Sequence, residues 1–239
     1  MKFVIEMNFK EAKVIVTGAT GGIGYEIART LRDIGATVIV SGRNAAKVRF
    51  AADEFGVYGC TADVSNETAI TELFSLAVEQ MGSANVLINN AGIGIFAALT
   101  DTPVADFQEV WEINVKGLFL AGKEAAKYFI PQNYGNIFNI GSTASLRGYA
   151  NGSAYVASKF AVSGLTDCWR AELRSHNIRA MQINPSDVIT DFVAKARMEI
   201  KNEDRKLKPA DVAQIAAAML SMNDICFIPD ASLWATNTW

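Results

Sequence analysis

A tyrosine and a lysine four residues apart, with a serine upstream, form the most reactive pattern in the sequence. Tyr155 and Lys159 share one face if residues 153–174 are helical, as the apolar spacing predicts. A phenol has an ordinary pKa near ~10, and a neighbouring ammonium favours its ionised form. Ser142, thirteen residues before Tyr155, follows a predicted strand and can donate to the same substrate oxygen. The three residues indicate proton transfer at a carbonyl or alcohol oxygen, although a lone tyrosine–lysine pair also occurs on solvated helices.

A glycine-rich turn near the N-terminus predicts a site for a pyrophosphate. It reads Thr17-Gly18-Ala19-Thr20-Gly21-Gly22-Ile23-Gly24 and joins a predicted strand to a predicted helix. Glycines let the backbone approach the ligand, and the free N–H groups of the helix start point at the anion. The spacing is ambiguous: Gly18, Gly22 and Gly24 fit one dehydrogenase pattern. Gly18, Gly21 and Gly24 fit larger sugar-nucleotide epimerases, and a purely structural turn also accounts for the pattern.

Short apolar runs alternate with longer helical patterns along the whole chain. The predicted strands are 13–17, 37–40, 57–61, 86–89, 136–140, 179–183 and 225–229, and the predicted helices are 22–34, 45–55, 68–81, 104–129, 153–174 and 209–221. Continuous apolar strands between helices predict an α/β fold with a Rossmann-type doubly wound parallel sheet in three αβα layers. No linker divides the sequence, so residues 1–239 are expected to form a single domain. Ligands of such sheets bind at the carboxyl ends of the strands.

Charge and cysteine content exclude several classes of function. The net charge is −3, from 22 basic and 25 acidic residues, which gives no electrostatic basis for binding nucleic acid or an anionic membrane. Cys60, Cys168 and Cys226 are scattered and His176 is the one histidine, so no metal site is expected. The sequence has neither a membrane-length apolar run nor a signal peptide, and we expect a cytoplasmic protein with reduced thiols.

Taken together, the motifs resemble the short-chain dehydrogenase/reductase family in its single-domain branch. They occur in family order over roughly residues 9–234: the glycine turn, Asp63-Val64, Asn89-Asn90-Ala91-Gly92, Asn114, Ser142, Tyr155 with Lys159, and 185–190. The length and the 89–92 motif favour the dehydrogenase pattern over the epimerases. Within the family, the chain looks most like 3-oxoacyl-carrier-protein reductases and small carbonyl reductases.

The resemblance implies a role for each candidate catalytic residue. Tyr155 would be the general acid in reduction and the base in oxidation, and Lys159 would lower its pKa and bind the nicotinamide ribose. Ser142 would orient and polarise the carbonyl. Asn114 would hold a water in a proton relay to Lys159, unless it only bridges backbone groups in a helix bend.

The resemblance also implies a cleft for NADP(H). Asp63 would bind the adenine amino group beside the Val64 backbone, unless it only shapes a turn. Asn90 and Gly92 would line the adenosine ribose, and Val188 and Thr190 would meet the nicotinamide carboxamide. Further cofactor contacts are expected at Gly18, Thr20, Gly21, Gly22, Ile23, Gly24, Ala91, Pro185, Tyr155 and Lys159. One departure is Ser186, where the family usually has glycine after the proline.

The end of the second predicted strand favours NADP over NAD. Relatives that prefer NAD carry an acidic residue there, whereas this chain has Gly42, which leaves the space open and uncharged. Arg43 follows, and a guanidinium can bind the 2′-phosphate bidentately. Ser41 and Asn44 can add neutral donors.

The substrate is predicted only as a class. An apolar wall of the cleft is expected from Ile93, Ile95, Phe96, Leu146, Tyr149 and Phe192, next to a charged helical lid at 191–208. This wall favours a small hydrophobic carbonyl or a 3-oxoacyl thioester, with Arg147, Lys195 and Arg197 available to an acidic carrier protein. Helices 104–129 and 153–174 are apolar on several faces, which predicts a homodimer or homotetramer. The alternative is a non-catalytic NADP-binding sensor on the same fold.

Overall fold

Seven parallel strands form one sheet in the computed structural model, which describes residues 8–192 and 205–237. The strands are β1 (Lys13–Val16), β2 (Thr37–Gly42), β3 (Tyr58–Thr61), β4 (Val86–Asn89), β5 (Gly135–Ile140), β6 (Ile178–Pro185) and β7 (Asp230–Leu233). Their order across the sheet is β3-β2-β1-β4-β5-β6-β7, with parallel pairing throughout. The doubly wound parallel sheet predicted from the sequence is therefore confirmed.

Helices cover both faces of this sheet and give the three layers. They are α1 (Gly22–Asp33), α2 (Ala45–Phe55), α3 (Glu67–Met81), α4 (Val104–Trp111), α5 (Leu118–Gln132), α6 (Ser153–Leu173) and α7 (Pro209–Leu220). One buried cluster joins α1, α2 and α7 to the sheet, and a second joins α3, α5 and α6 to the opposite face. Alternate residues of a strand point to opposite faces, so Val14 and Val16 enter the first cluster while Ile15 enters the second.

The chain reverses its winding direction between β1 and β4, which are neighbours in the sheet. A crevice forms at the carboxyl ends of the strands where the loops diverge from such a switch point. The turn after β1 and the loop after β4 meet there, and the Thr17 amide donates to the Ile88 carbonyl at 3.0 Å. The motifs of the sequence analysis are brought to this crevice.

The helix predicted over 104–129 is interrupted and longer than expected. A π-helical turn at Glu112–Gly117 separates α4 from α5. A side chain at Gly117 would meet Val64, so the helix packs closely on the loop after β3. Pro131 lies in the last turn of α5, and the chain leaves the helix at Asn133 with a φ of 52°.

The prediction of a last strand at 225–229 is wrong. Ile225 lies in a loop and is 85% exposed, whereas β7 begins at Asp230 and pairs with β6. An edge strand has one neighbour in the sheet, and β7 alternates between exposed and half-buried residues. Its sequence therefore lacks the continuous apolar run of a central strand, and the more apolar loop before it was the stronger signal.

Within the described ranges, none of the helices combines the length and the apolarity that a membrane crossing requires.

Candidate active site

The carboxyl ends of the strands surround a cleft of about 1290 Å³. Its walls come from the glycine turn, the end of β2 and the loops after β4, β5 and β6. Pockets for small ligands usually measure about 300–1,000 Å³, so this cleft is larger than most of them.

The glycine turn forms the floor of one half of the cleft. Gly18 and Gly22 have φ angles of +64° and +59°, in the left-handed region that favours glycine. A Cβ on Gly18 would lie 2.8 Å from the Ala91 Cα, so the turn lies directly against the loop after β4. Asn90 holds the loop after β4 against the glycine turn, because its Nδ2 donates to the Gly18 carbonyl at 3.0 Å and to the Thr17 carbonyl at 3.1 Å.

The first turn of α1 adds free backbone donors to this floor. Gly21 caps the helix without a side-chain hydrogen bond, so the first N–H groups of α1 keep their capacity for a ligand. Gly21, Gly22 and Ile23 line the cleft, whereas Gly24 is buried against the Asn90 side chain. A narrow, side-chain-free turn at a helix start fits a pyrophosphate group.

The end of β2 carries positive charge at the far end of the cleft. Arg43 is exposed, lines the cleft and has no hydrogen-bond or ion-pair partner within the described ranges. Lys47, one turn along α2, lines the same region. The Asn44 side chain caps α2 by accepting from the Lys47 amide at 3.0 Å. The glycine at position 42 leaves little room: a Cβ there would lie 2.8 Å from the Thr20 Cγ2.

Two predicted adenosine contacts are placed differently from the expectation. Ser41 is fully buried and is not among the lining residues, because it lies on the same face of β2 as Ile39, which is buried in the second cluster. The Oδ1 atom of Asp63 accepts from the Ser65 amide at 2.9 Å and from the Ser65 hydroxyl at 2.8 Å. Asp63 thus shapes the turn before α3, and Val64 lines the cleft beside it.

Tyr155, Lys159 and Ser142 meet at the other half of the cleft, and all three line it. The first two lie one turn apart on α6, with the Lys159 Nζ 5.7 Å from the centre of the Tyr155 ring. The ammonium donates to the Ile140 carbonyl at 2.7 Å, which fixes it at the end of β5. The Ser142 Oγ accepts from the Ala144 amide at 3.1 Å, so its own hydrogen stays available to a neighbour in the cleft.

Burial dominates the electrostatics of this group. Desolvation raises the pKa of the Tyr155 phenol above its usual range, although a hydrogen bond with Ser142 acts in the opposite direction. Desolvation also lowers the pKa of Lys159 from 10.5 to about 8. The expected lowering of the Tyr155 pKa by Lys159 is not found among the side chains described, because burial pushes both groups toward their neutral forms.

Asn114 acts as a brace within the π-helical turn. Its Oδ1 accepts from the Ile93 amide at 2.8 Å, and its Nδ2 donates to the Ile93 carbonyl at 2.9 Å and to the Ser158 Oγ at 3.0 Å. Ser158 in turn donates to the Tyr155 carbonyl at 2.7 Å. Asn114 therefore ties the loop after β4 to the helix that carries Tyr155.

The loop after β6 forms one wall of the cleft. Pro185, Val188 and Thr190 line the cleft, and a Cβ on Gly22 would lie 3.2 Å from the Thr190 Cγ2, so this loop faces the glycine turn. Ser186 has no left-handed φ, so the chain holds a serine there without backbone strain. Its Oγ is buried and has no partner among the described residues.

Most of the predicted apolar wall is present. Ile93, Ile95, Phe96, Tyr149 and Phe192 line the cleft. Leu146 does not, because it points to solvent and is 55% exposed. Arg147 lies with its guanidinium 5.2 Å from the Trp234 ring centre, while Lys195, Arg197 and residues 193–204 of the predicted lid are outside the described ranges.

Lys47 was not identified from the sequence as a residue of the cleft, and Lys206 was predicted only as part of the lid at 191–208. Lys47 follows Arg43 by four residues at the start of a predicted helix, and that spacing was a usable signal. Lys206 lines the cleft because its neighbour Leu207 forms a parallel bridge with Val188 in the loop after β6. No local pattern could have revealed that pairing.

Comparisons with known proteins identify the family of the chain. The short chain dehydrogenase family matches residues 12–201. A 3beta-hydroxysteroid dehydrogenase of Mediterraneibacter gnavus is 36% identical over 200 residues, which are 81% of this chain and 72% of that protein.

Two solved structures superpose on nearly the whole chain. An actinorhodin polyketide ketoreductase variant with NADPH has a TM-score of 0.88 at 29% identity, over 96% of this chain and 98% of that one. A serine dehydrogenase complexed with NADP+ has a TM-score of 0.86 at 28% identity, over 95% and 96%. With a matching sequence family, a matching fold and the tyrosine–lysine pair in a dinucleotide-sized cleft, the chain belongs to the short-chain dehydrogenase family of oxidoreductases.

Proposed function

We propose that the protein is an NADP(H)-dependent oxidoreductase that interconverts a hydrophobic ketone or aldehyde and its alcohol, with Tyr155 as the acid and base. The observation that carries the proposal is the joint placement of Tyr155, Lys159 and Ser142 in the cleft that also holds the glycine turn. A sensor that only binds nucleotide has no use for a buried lysine held beside a buried tyrosine. Burying such groups lowers the stability of the fold. A non-catalytic protein gains nothing from keeping them.

The chain supplies a fitting site for NADP(H). The glycine turn and the start of α1 suit the pyrophosphate, and Arg43 with Lys47 suits the 2′-phosphate. When bound, NADP(H) gives or takes the hydride, and the positive charge of its oxidised ring favours the phenolate. Pro185, Val188 and Thr190 would hold the nicotinamide end.

In reduction, Tyr155 gives its phenolic proton to the oxygen of the substrate, and in oxidation it takes the proton back. Ser142 donates a hydrogen bond to the same oxygen and so orients the carbonyl. Lys159, fixed by the Ile140 carbonyl, supports the ionised phenol and binds the ribose. Asn114 is a positioning residue that keeps α6 in register, and a water beside it would complete the expected relay to Lys159.

The exposed aromatic residues of α4 and α5 favour a homodimer or homotetramer. Phe107, Trp111 and Phe119 are each about two-fifths exposed, at 40%, 41% and 43%. Phe107 and Trp111 stack on each other with ring centres 6.4 Å apart. A second subunit on these helices would remove large apolar side chains from water.

The test is a panel of ketones, aldehydes and 3-oxoacyl thioesters, with NADPH followed by absorbance. We expect turnover that falls by at least ~10²-fold in Tyr155→Phe, since acid–base catalysis contributes about 10²–10⁴. NADPH affinity should change little, because the ring remains. Near-normal turnover in the variant, or no turnover of any carbonyl, would contradict the proposal and leave the sensor as the better interpretation.

A further inference from the structure

Three aromatic side chains cluster beside Tyr155 in the cleft, and two of them contact its ring. Phe96 and Phe192 are tilted against it, with ring centres 5.3 and 5.7 Å away. Tyr149 stacks on Phe96 at 6.4 Å. Phe96, Tyr149, Phe192 and the nearby Gly94 together are called the aromatic slot.

Because Gly94 has no side chain, the Phe96 and Phe192 rings can pack against its backbone. A Cβ there would lie 2.6 Å from the Phe192 Cζ and 2.8 Å from the Phe96 Cε2, so both rings close directly over its backbone. The Phe192 ring therefore contacts Gly94 on one wall and Tyr155 on the other. It fills the space beside the phenol, where a substrate must place its reacting carbon.

One ion pair lines the same cleft as the slot. Lys206 donates to the Asp187 Oδ2 at 2.7 Å, and its side chain is only 15% exposed. The two charges neutralise each other, and the rings packed against Tyr155 are those of Phe96 and Phe192. The slot therefore offers Tyr155 apolar ring contact on the side of these two residues.

We propose that the aromatic slot binds a carbon ring that bears the reacting oxygen, and that the Phe192 ring marks the place of that ring. The substrate class is then a cyclic ketone or the matching secondary alcohol. This inference rests on the proposed function. In the reduction, the carbonyl carbon receives a hydride from NADPH and the oxygen receives the Tyr155 proton, so that the ketone becomes an alcohol and the cofactor becomes NADP+.

Physical reasons favour a ring over an open chain in this slot. A substrate ring replaces the contacts with Tyr155 that are lost when the Phe192 ring is displaced. It also loses little conformational freedom, whereas an open chain must be ordered about each of its bonds.

The experiment compares ketones of equal carbon number with NADPH: cyclohexanone against 2-hexanone, and 1-decalone against 2-decanone. The ring member of each pair should have a kcat/KM about tenfold higher or more, the factor set by about 1.4 kcal/mol. Phe192→Ala, which enlarges the slot, should raise the kcat/KM ratio of 1-decalone to cyclohexanone by roughly fivefold, or about 1 kcal/mol.

Phe50→Ala is the matched control, because Phe50 is 66% exposed on α2 and does not line the cleft. It should leave that ratio unchanged. NADPH affinity of Phe192→Ala, measured by fluorescence, should match the native value and shows that the variant is folded.

The outcomes separate the inference from the proposed function. Open-chain ketones turned over as well as cyclic ones, with turnover still lost in Tyr155→Phe, would overturn the slot inference alone. An unchanged ratio in Phe192→Ala would overturn it as well. No turnover of any ketone, or turnover that survives Tyr155→Phe, would overturn the proposed function and with it the inference.

Discussion

Lys159 should make the stability of the protein depend on pH between about 8 and 10.5, the folded and unfolded values of its pKa. The side chain is 7% exposed, and desolvation is the cause of the lowered pKa. In this pH range the unfolded chain binds the proton and the folded chain does not. The free energy of unfolding therefore rises with pH across the range.

The magnitude follows from the size of the shift. At about 1.36 kcal/mol per pKa unit, the change from 10.5 to about 8 corresponds to about 3 kcal/mol at most. Most of it, about 2–3 kcal/mol, should appear between pH 7 and pH 10 as the folded-state lysine loses its proton. Lys159→Met removes the titrating group. The difference in unfolding free energy between the native chain and the variant should therefore change by about 2–3 kcal/mol between pH 7 and pH 10. Lys159→Met loses the hydrogen bond to Ile140 at every pH, and that loss does not alter the slope.

The assay is urea unfolding followed by tryptophan fluorescence at fixed protein concentration and several pH values. Lys10→Met is the matched control, because Lys10 is exposed, and it should show no such pH-dependent difference from the native chain. If the difference in unfolding free energy between the native chain and Lys159→Met does not change from pH 7 to pH 10, burial does not lower the pKa of Lys159.

Three further predictions concern the cofactor, the assembly and the fold. The native enzyme should prefer NADPH to NADH by at least ~10-fold in kcat/KM, as one charge-assisted hydrogen bond predicts. The double variant Gly42→Asp with Arg43→Ala should reverse this preference at some cost in rate, because the new side chain meets Thr20. Equal use of both cofactors by the native enzyme would show that Arg43 does not bind the phosphate. Light scattering should give a multiple of 25.8 kDa for the native chain and a smaller mass for Phe119→Glu, whereas a native monomer at micromolar concentration would reject the assembly. Arg179→Met should lower the free energy of unfolding by at least about 2 kcal/mol. The reason is that the buried guanidinium donates to three backbone carbonyls, one in the last residue of α7 and two in the loop that follows. A loss below about 0.5 kcal/mol, the range of ordinary surface changes, would contradict this prediction.

The layered fold and the strands of the core were predictable because their causes are local. Buried parallel strands must be apolar along their whole length, and amphipathic helices between them must pack on the two faces. Val86–Asn89 is such a strand, and its bounds match the prediction. The edge strand β7 failed the same reasoning, because a half-exposed strand needs no apolar run.

The reactive residues were also predictable, because their spacing along the chain already sets their geometry. Tyr155 and Lys159 are on one face of a helix whatever that helix packs against. Ser41 was placed less well, since the direction of a side chain at a strand end depends on pleat and register. In the structure, Ser41 is buried on the same face of β2 as Ile39, whereas Asn44 lines the cleft and also caps α2.

The sequence by itself determined the family of reactions. Residue types and short spacings along the chain were enough to identify a phenol beside an ammonium, a hydroxyl upstream and a glycine turn at a helix start. Only the tertiary structure decided the surroundings of that chemistry. Burial of Tyr155 and Lys159 shifts the pKa of each group toward its neutral form, and burial is a property of the whole packed fold. The aromatic slot joins Phe96, Tyr149 and Phe192 from three distant loops. Their contact depends on how the ends of β4, β5 and β6 converge, which no local pattern encodes.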